Sequence, residues 1–209
     1  MTRSSQSRRN QRQRTHDVII AAAIDLMKSG VTPSMAEIVE AARVSRRTVY
    51  LHFPTLDQLL TDARIGLLSK QAVDAEFELV DPGGDTEKRV TAMIDAIIEN
   101  ARVTLPLGRS LIKLTIETPA APDTPRRGYR RVAWIEKALS PLRAELSSRE
   151  FERLVSALSI VIGWEALIVL ADVRALVPPE QRKIIVWTAR AILRAALENR
   201  KRPKGRLAK

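Results

Sequence analysis

Between Ser34 and Gln58 the sequence signals the start of a helix three times. Ser34 with Glu37, and Thr55 with Gln58, have the Ser/Thr-x-x-Glu/Gln spacing of a capping box, and Ser45 can cap a helix between them. Pro54 ends the middle segment, because the residue before a proline is driven out of the helical region. So short a stretch with three starts permits only two brief helices, a tight turn near Ala42–Val44, and the head of a longer helix. Brief helices are marginal alone in water, so these must pack on something longer.

The preceding segment supplies it. Ile19, Ala22, Ala23, Leu26 and Met27 recur at helical spacing, and "KSG" ends the helix with Gly30 suited to a left-handed cap. The fourth helix is predicted to run to about Leu79, before "DPGGD". Val90, Ile94, Ile97, Ile98 and Ala101 mark a fifth, and Pro106 is expected to interrupt the chain before a shorter piece, Leu107–Glu117. After the proline-rich "TPAAPDTP" a helix is predicted from Arg126 to Leu146, kinked or split at Pro141. A last helix follows Pro178 and Pro179, with Ile185, Ala189, Ile192, Leu193 and Ala196 on one stripe. No segment alternates like a strand, so the expected class is all-α.

The stretch Leu154–Val177 is apolar enough to raise a transmembrane reading, but Glu165, Asp172 and Arg174 lie within it, and each is costly in lipid. A helix apolar on nearly every side also suits a chain that meets its own domain on one face and a second subunit on the other. The sequence has no cysteine, which excludes disulfides, thiolate metal sites and cysteine nucleophiles and fits a reducing cytosol. The N-terminus has no apolar core of a secretory signal, so a cytoplasmic protein without membrane contact is expected.

The net charge of +11 is concentrated at the ends. Residues 1–14 carry five arginines and residues 200–209 carry six Lys/Arg, with no acid in either, so the body between is neutral overall. Both ends read as flexible basic segments, serving an anionic partner or only solubility.

Two short helices joined by a tight turn, behind a longer first helix, form a helix-turn-helix, whose second helix enters the major groove of DNA. In "SRRTVYLHF" the apolar anchors are Val49, Leu51 and Phe53, and with Ile38, Val39, Ala42 and Val44 they leave a polar face over. Arg46 and Arg47 can donate to guanine, and Thr48 offers a hydroxyl and a methyl. Tyr50 and His52 can reach phosphates. Cations in a first helical turn oppose the helix dipole by about 0.3–1 kcal/mol each, a cost that nearby phosphates reverse.

The run "ARVSRRTVYLHFPTLDQLL", with its preceding helix and basic arm, resembles the TetR/AcrR family of bacterial regulators over about Thr15 to Leu60. Two positions depart from the usual pattern: Arg43 stands where glycine is common at the turn, and Leu56 where a phosphate-binding lysine often opens the fourth helix. The resemblance implies an N-terminal three-helix DNA-binding domain followed by a larger helical-bundle domain for ligand binding and dimerisation. The expected organisation is a flexible arm at 1–14, the DNA-binding domain at 15–60, the regulatory body at 61–199 and a flexible tail at 200–209. Expected DNA contacts are Thr15, Ser34, Arg43, Ser45, Arg46, Arg47, Thr48, Tyr50, Leu51 and His52. The implied partners are a palindromic duplex operator, a second copy of the chain and a small-molecule effector, with no cofactor.

For the effector, the candidates are Thr115, Tyr129, Trp134, Trp164, Glu165, Ile168 and Asp172. Glu165 and Asp172, seven apart, would share a helix face with Leu158, Val161 and Ile168. Buried acids are usually paired, so an ion pair with Arg109, Arg131 or Arg174 is the plainer reading. The tryptophans and Tyr129 are as readily core residues. His16 and His52, 36 positions apart and without a clustered carboxylate in sequence, argue against a metal site or catalytic dyad. Asp57 and Asp62 fit the polar face of the fourth helix. Two other classes compete: a helical enzyme or small-molecule binder that does not use DNA, and an architectural nucleic-acid binder acting through its tails.

Overall fold

The computed structural model describes residues 3–28, 32–78, 84–117 and 127–201, and all regular structure among them is helical, as expected. In order the α-helices are α1 (Arg3–Met27), α2 (Met35–Ala42), α3 (Arg46–His52), α4 (Leu56–Glu78), α5 (Thr86–Glu117), α6 (Tyr129–Ala138), α7 (Ser148–Val161), α8 (Trp164–Ile168) and α9 (Pro178–Lys201). A 3-10 turn, Ser140–Ala144, follows α6, and a π-helical turn, Val169–Val173, follows α8. The Gly30 cap, residues 81–83 of "DPGGD", the proline-rich loop and the tail beyond Lys201 lie outside the described residues.

The chain divides into two compact units, one of Met1–Gln71 with Val103–Tyr129, the other of Ala72–Arg102 with Arg130–Lys209. A single boundary after residue 60 does not describe this division, because α4 and α5 each contribute residues to both units.

In the first unit, Ile19 and Ala23 of α1, Ile38 and Ala42 of α2, Val49 and Phe53 at α3, and Leu59 of α4 close one apolar core. The capping box at α2 forms as its spacing predicts: the Glu37 N–H donates to Ser34 Oγ (3.3 Å) and the Ser34 N–H to Glu37 Oε2 (2.7 Å). The Ser34 N–H, and then the Ser34 hydroxyl, on Glu37 Oε2 hold that carboxyl below its ordinary range. Only half of the second box forms, with the Gln58 N–H donating to Thr55 Oγ1 at 3.2 Å. The basic N-terminal segment is helical from Arg3, not the flexible arm expected. It lacks Gly and Pro, and Gln and Arg can propagate a helix already nucleated on the core below.

The second unit packs Met93, Ile94 and Ile97 of α5 with Ile135, Leu139, Leu158, Ile185 and Ala189. Pro106 does not divide α5, contrary to expectation. A proline removes one helical hydrogen bond, and buried residues on both sides, Ala101 and Leu111, keep the helix running past it. Pro141 does end a helix: α6 stops at Ala138 and the 3-10 turn begins with the proline inside its first two positions. The carbonyls freed there meet a buried guanidinium. Arg89 Nε donates to Ala138 O (3.1 Å), and its Nη2 donates to Lys137 O (2.8 Å) and Ser140 Oγ (3.3 Å). A cation at the negative helix end is also favoured by the dipole. Arg182 of α9 grips Asp95 of α5 with two bonds of 2.7 Å.

The apolar stretch expected as one helix is three pieces. Another capping box, Ser147 with Glu150, opens α7. Ile162 is extended and Gly163 has φ 123°, and α8 restarts the helix before the π turn, where Arg174 N–H donates to Val169 O. Among the described residues Ser148–Val173 is the one segment long and apolar enough to cross a membrane, which the buried helices of globular proteins also satisfy. Its Leu154, Val155, Leu158 and Ile162 lie in the core of this unit.

Gly163 is required twice. Its φ is one that side chains rarely adopt, and a Cβ there would fall 2.0 Å from Arg131 Nη1. Gly163→Ala should therefore lower unfolding stability by about 2–4 kcal/mol, measured by urea titration. Adding Arg131→Ala should recover only the steric part, because the φ strain remains.

Candidate nucleic-acid interface

Helix α3 has seven residues, too few to persist alone. Ser45 begins it by accepting from the Thr48 N–H (3.1 Å), and the two hydroxyls share a 2.7 Å hydrogen bond. The turn before it closes through Arg43, whose N–H donates to Glu40 O (3.1 Å) with φ 52° and ψ 39°. This left-handed conformation explains why glycine suits the position; arginine there costs about 1 kcal/mol or more.

Spacing decides which side chains face in. Val49, His52 and Phe53 stand at i, i+3 and i+4, and all three are buried. Leu51 lies on the opposite side of the helix and is 45% exposed, so the anchor expected of it is instead His52, 3% exposed. His52 therefore does not reach a phosphate. Arg43, Ser45, Arg46, Arg47, Tyr50 and Leu51 are exposed, and Thr48 is half-buried. The outward face of α3 thus presents two guanidiniums, a phenol and an isobutyl group, able to meet phosphate, guanine edges and a thymine methyl.

Of the other expected contacts, Ser34 is exposed but committed to its cap, its hydroxyl 2.7 Å from Glu37 Oε2. Half-buried Thr15 donates from Oγ1 to Gln11 O (3.1 Å) along α1. Leu56, in place of a basic residue, packs against the core.

The two histidines meet beneath α3, which their separation in sequence did not suggest. Their ring centroids are 5.9 Å apart. His16 lies 4.7 Å from the Phe53 ring and 4.6 Å, edge-on, from Tyr129. Its Nε2 is 3.5 Å from Asp62 Oδ2, so Asp62 is buried against an imidazole and is not on the polar face of α4. Burial first, then the charges of His16 and Arg12, push His52 down to about 4. Among the described residues no group of three or more His, Asp or Glu is placed to hold a metal ion.

The effector candidates divide between the units. Thr115 and Tyr129 belong to the first; Trp134, Trp164, Glu165, Ile168 and Asp172 belong to the second. Thr115 donates to Leu111 O at 2.7 Å. Glu165 accepts from Arg131 Nη1 at 2.5 Å, one of the ion pairs the sequence offered, and both tryptophans pack partly buried on the core. The break at Gly163 and the wider π turn remove the single face that Glu165 and Asp172 were expected to share with Leu158 and Val161, and Asp172 is exposed.

Arg43→Gly should raise the thermal midpoint of the first unit, by about 0.5–1 kcal/mol in stability, because relief of strain outweighs the added freedom of the unfolded chain. Scanning calorimetry of the two proteins would measure it.

Residues 19–63 match the family described as bacterial regulatory proteins, tetR family, and the matched segment spans the core of α1 through the first turns of α4. No curated protein and no solved structure gives a significant match to the chain. Residues 19–63 therefore form a helix-turn-helix domain of the kind found in the tetR family of bacterial regulatory proteins.

Proposed function

We propose that the protein is a homodimeric, cytoplasmic repressor that reads a palindromic operator through two copies of α3 and is released by a small-molecule effector. The observation that carries the reading is the outward face of α3: Arg46 and Arg47 exposed beside Tyr50 and Leu51, on a helix held from behind by Val49 and Phe53. A helix built only to fold has no use for two cations in its first turn. Arg46 and Arg47 would read base edges, Arg43 and Tyr50 would hold phosphates, and Leu51 would contact a thymine methyl. The basic first turns of α1 would add sequence-independent attraction.

Dimerisation is supported by a second surface. On the unit that contains α7 to α9, Ile160, Val173 and Trp187 are 76%, 74% and 69% exposed. Val169, Val177 and Ile184 are exposed as well. Several large apolar side chains exposed on one unit favour an interface over a free surface, and tryptophan is enriched at the centre of such interfaces. Two identical reading heads also provide the specificity that one cannot, provided they stand about 34–36 Å apart or a multiple of it. An effector that favours a body conformation with mis-spaced heads would then weaken DNA binding. Trp134, Trp164 and the Arg131–Glu165 pair are the groups best suited to meet such a ligand.

The test is selection of duplexes from a random pool, followed by binding measurements on what is recovered. Arg47→Ala should lose about 1–3 kcal/mol and relax preference at one base position in each half-site. Deleting residues 1–14 should weaken all duplexes to a similar degree and flatten the salt dependence. If truncation of the basic ends abolishes all preference while Arg47→Ala leaves it intact, binding through the ends is the correct reading. Trp187→Glu should shift the sedimentation coefficient to that of a monomer; an unchanged coefficient would remove this surface from the interface.

A further inference from the structure

The chain has two histidines, and both lie in one buried cluster directly behind the DNA-reading helix. Histidine is the side chain whose ordinary titration falls between pH 5 and 8, so mild acid acts on this chain chiefly at one place. Among the described residues neither His16 Nδ1 nor His52 Nδ1, both buried, has a hydrogen-bond partner in the protein. Buried polar atoms are nearly always hydrogen-bonded in folded proteins, so two such atoms in one cluster call for a physical reason.

The groups facing the pair come from four elements. Helix α1 supplies His16 itself, Asp17 with its carboxylate 3.8 Å from His16 Nδ1, and Arg12, whose charge acts on His52. Helix α4 supplies Asp62, 3.5 Å from His16 Nε2. The start of α6 supplies Tyr129, edge-on to His16. Helix α3 supplies His52, two turns from Arg46. Asp62 stands against His16, not His52. Among the described residues His52 has no ion pair with a carboxylate, and the charges that act on it are a second imidazole, His16, and the Arg12 guanidinium.

We infer that His16 and His52 form a proton-operated latch on α3: a neutral His52 seats the end of the helix in the core, and a proton on it drives the ring out and releases DNA. This rests on the DNA-binding reading. The direction follows from the local electrostatics. A seated His52 takes a proton only near pH 4, while an expelled, solvated one takes it near the ordinary 6.5. As pH falls through 6.5 the proton is therefore taken up by the expelled form, and the seated form is lost. At pH 5.0 the difference amounts to about a 30-fold shift toward the expelled state, relative to neutral pH. General electrostatics has the opposite sign, since added positive charge strengthens attraction to phosphate. Acid-weakened DNA binding is thus a distinctive signature.

The experiment uses the full chain. Amide hydrogen-exchange protection factors are measured at pH 7.5 and 5.0 for α3 and, as an internal reference, for Ala189 and Leu193 in the core of the other unit. Wild type is expected to lose about 30-fold protection at Val49–Phe53 while the reference amides hold. His52→Phe, which keeps the ring and removes the titration, should show no such loss, and His52→Gln serves if the phenylalanine variant does not fold. In parallel, a duplex recovered by selection at pH 7.5 should bind wild type at least tenfold more weakly at pH 5.0 but bind the His52 variant equally at both. Equal α3 protection at the two pH values, or the same loss in the variant, overturns the latch. Loss of protection with undiminished DNA binding overturns its link to release. If no duplex is recovered at all, the DNA-binding reading fails, and the exchange data still decide whether the latch exists.

Discussion

The contact between α3 and the helices behind it is the constraint on which the reading head depends. Seven residues form at most two turns, and helix nucleation alone costs more than those turns return. The helix exists because Val49, His52 and Phe53 fall on one face and are buried, and because Ser45 takes up the Thr48 N–H that would otherwise be orphaned. Everything on the opposite face is then free of any structural duty. That separation of labour places Arg46, Arg47, Tyr50 and Leu51 toward solvent without loss to the fold.

The anchor is unusual in being partly polar. Leu at position 52 would be the simpler choice for a core site, and the exposed Leu51 shows that such a residue stands one position away. With His52 inward, a polar ring sits beside His16, which itself faces Asp62, next to a core of aliphatic groups and Phe53. Burial of an ionisable group makes its charge state a property of the packing, so the seating of the helix and the protonation of the ring cannot be separated thermodynamically.

Much of this was legible beforehand. Two of the caps, at Ser34 and Ser45, follow from local spacing, and local spacing is what fixes a helix start. Arg43 stands out in the sequence where glycine is common, and its positive φ supplies the physical reason. The inward position of His52 was also readable, since it stands three residues after Val49; weighing hydrophobicity above periodicity hid it. The His16–His52–Asp62 cluster could not be read, because three helices bring those residues together and no local pattern records it. The misjudged Pro106 has the same cause, while Pro141 splits its helix as expected. Pro106 lies within a long helix anchored on both sides, whereas Pro141 lies where Arg89, some fifty residues earlier, is waiting to take the freed carbonyls. The break at Gly163 depends on a guanidinium contributed from α6, equally invisible to a reading along the chain.

That last arrangement constrains how this part of the protein can change over evolutionary time. With Arg131 filling the space where a methyl group at 163 would project, the two positions are not independent. Shortening at 131 has to come first, and it removes the Arg131–Glu165 ion pair, so the change at 163 carries that loss with it. Neutral drift through this corner of the fold therefore has a forced order, and single-step variation there is closed.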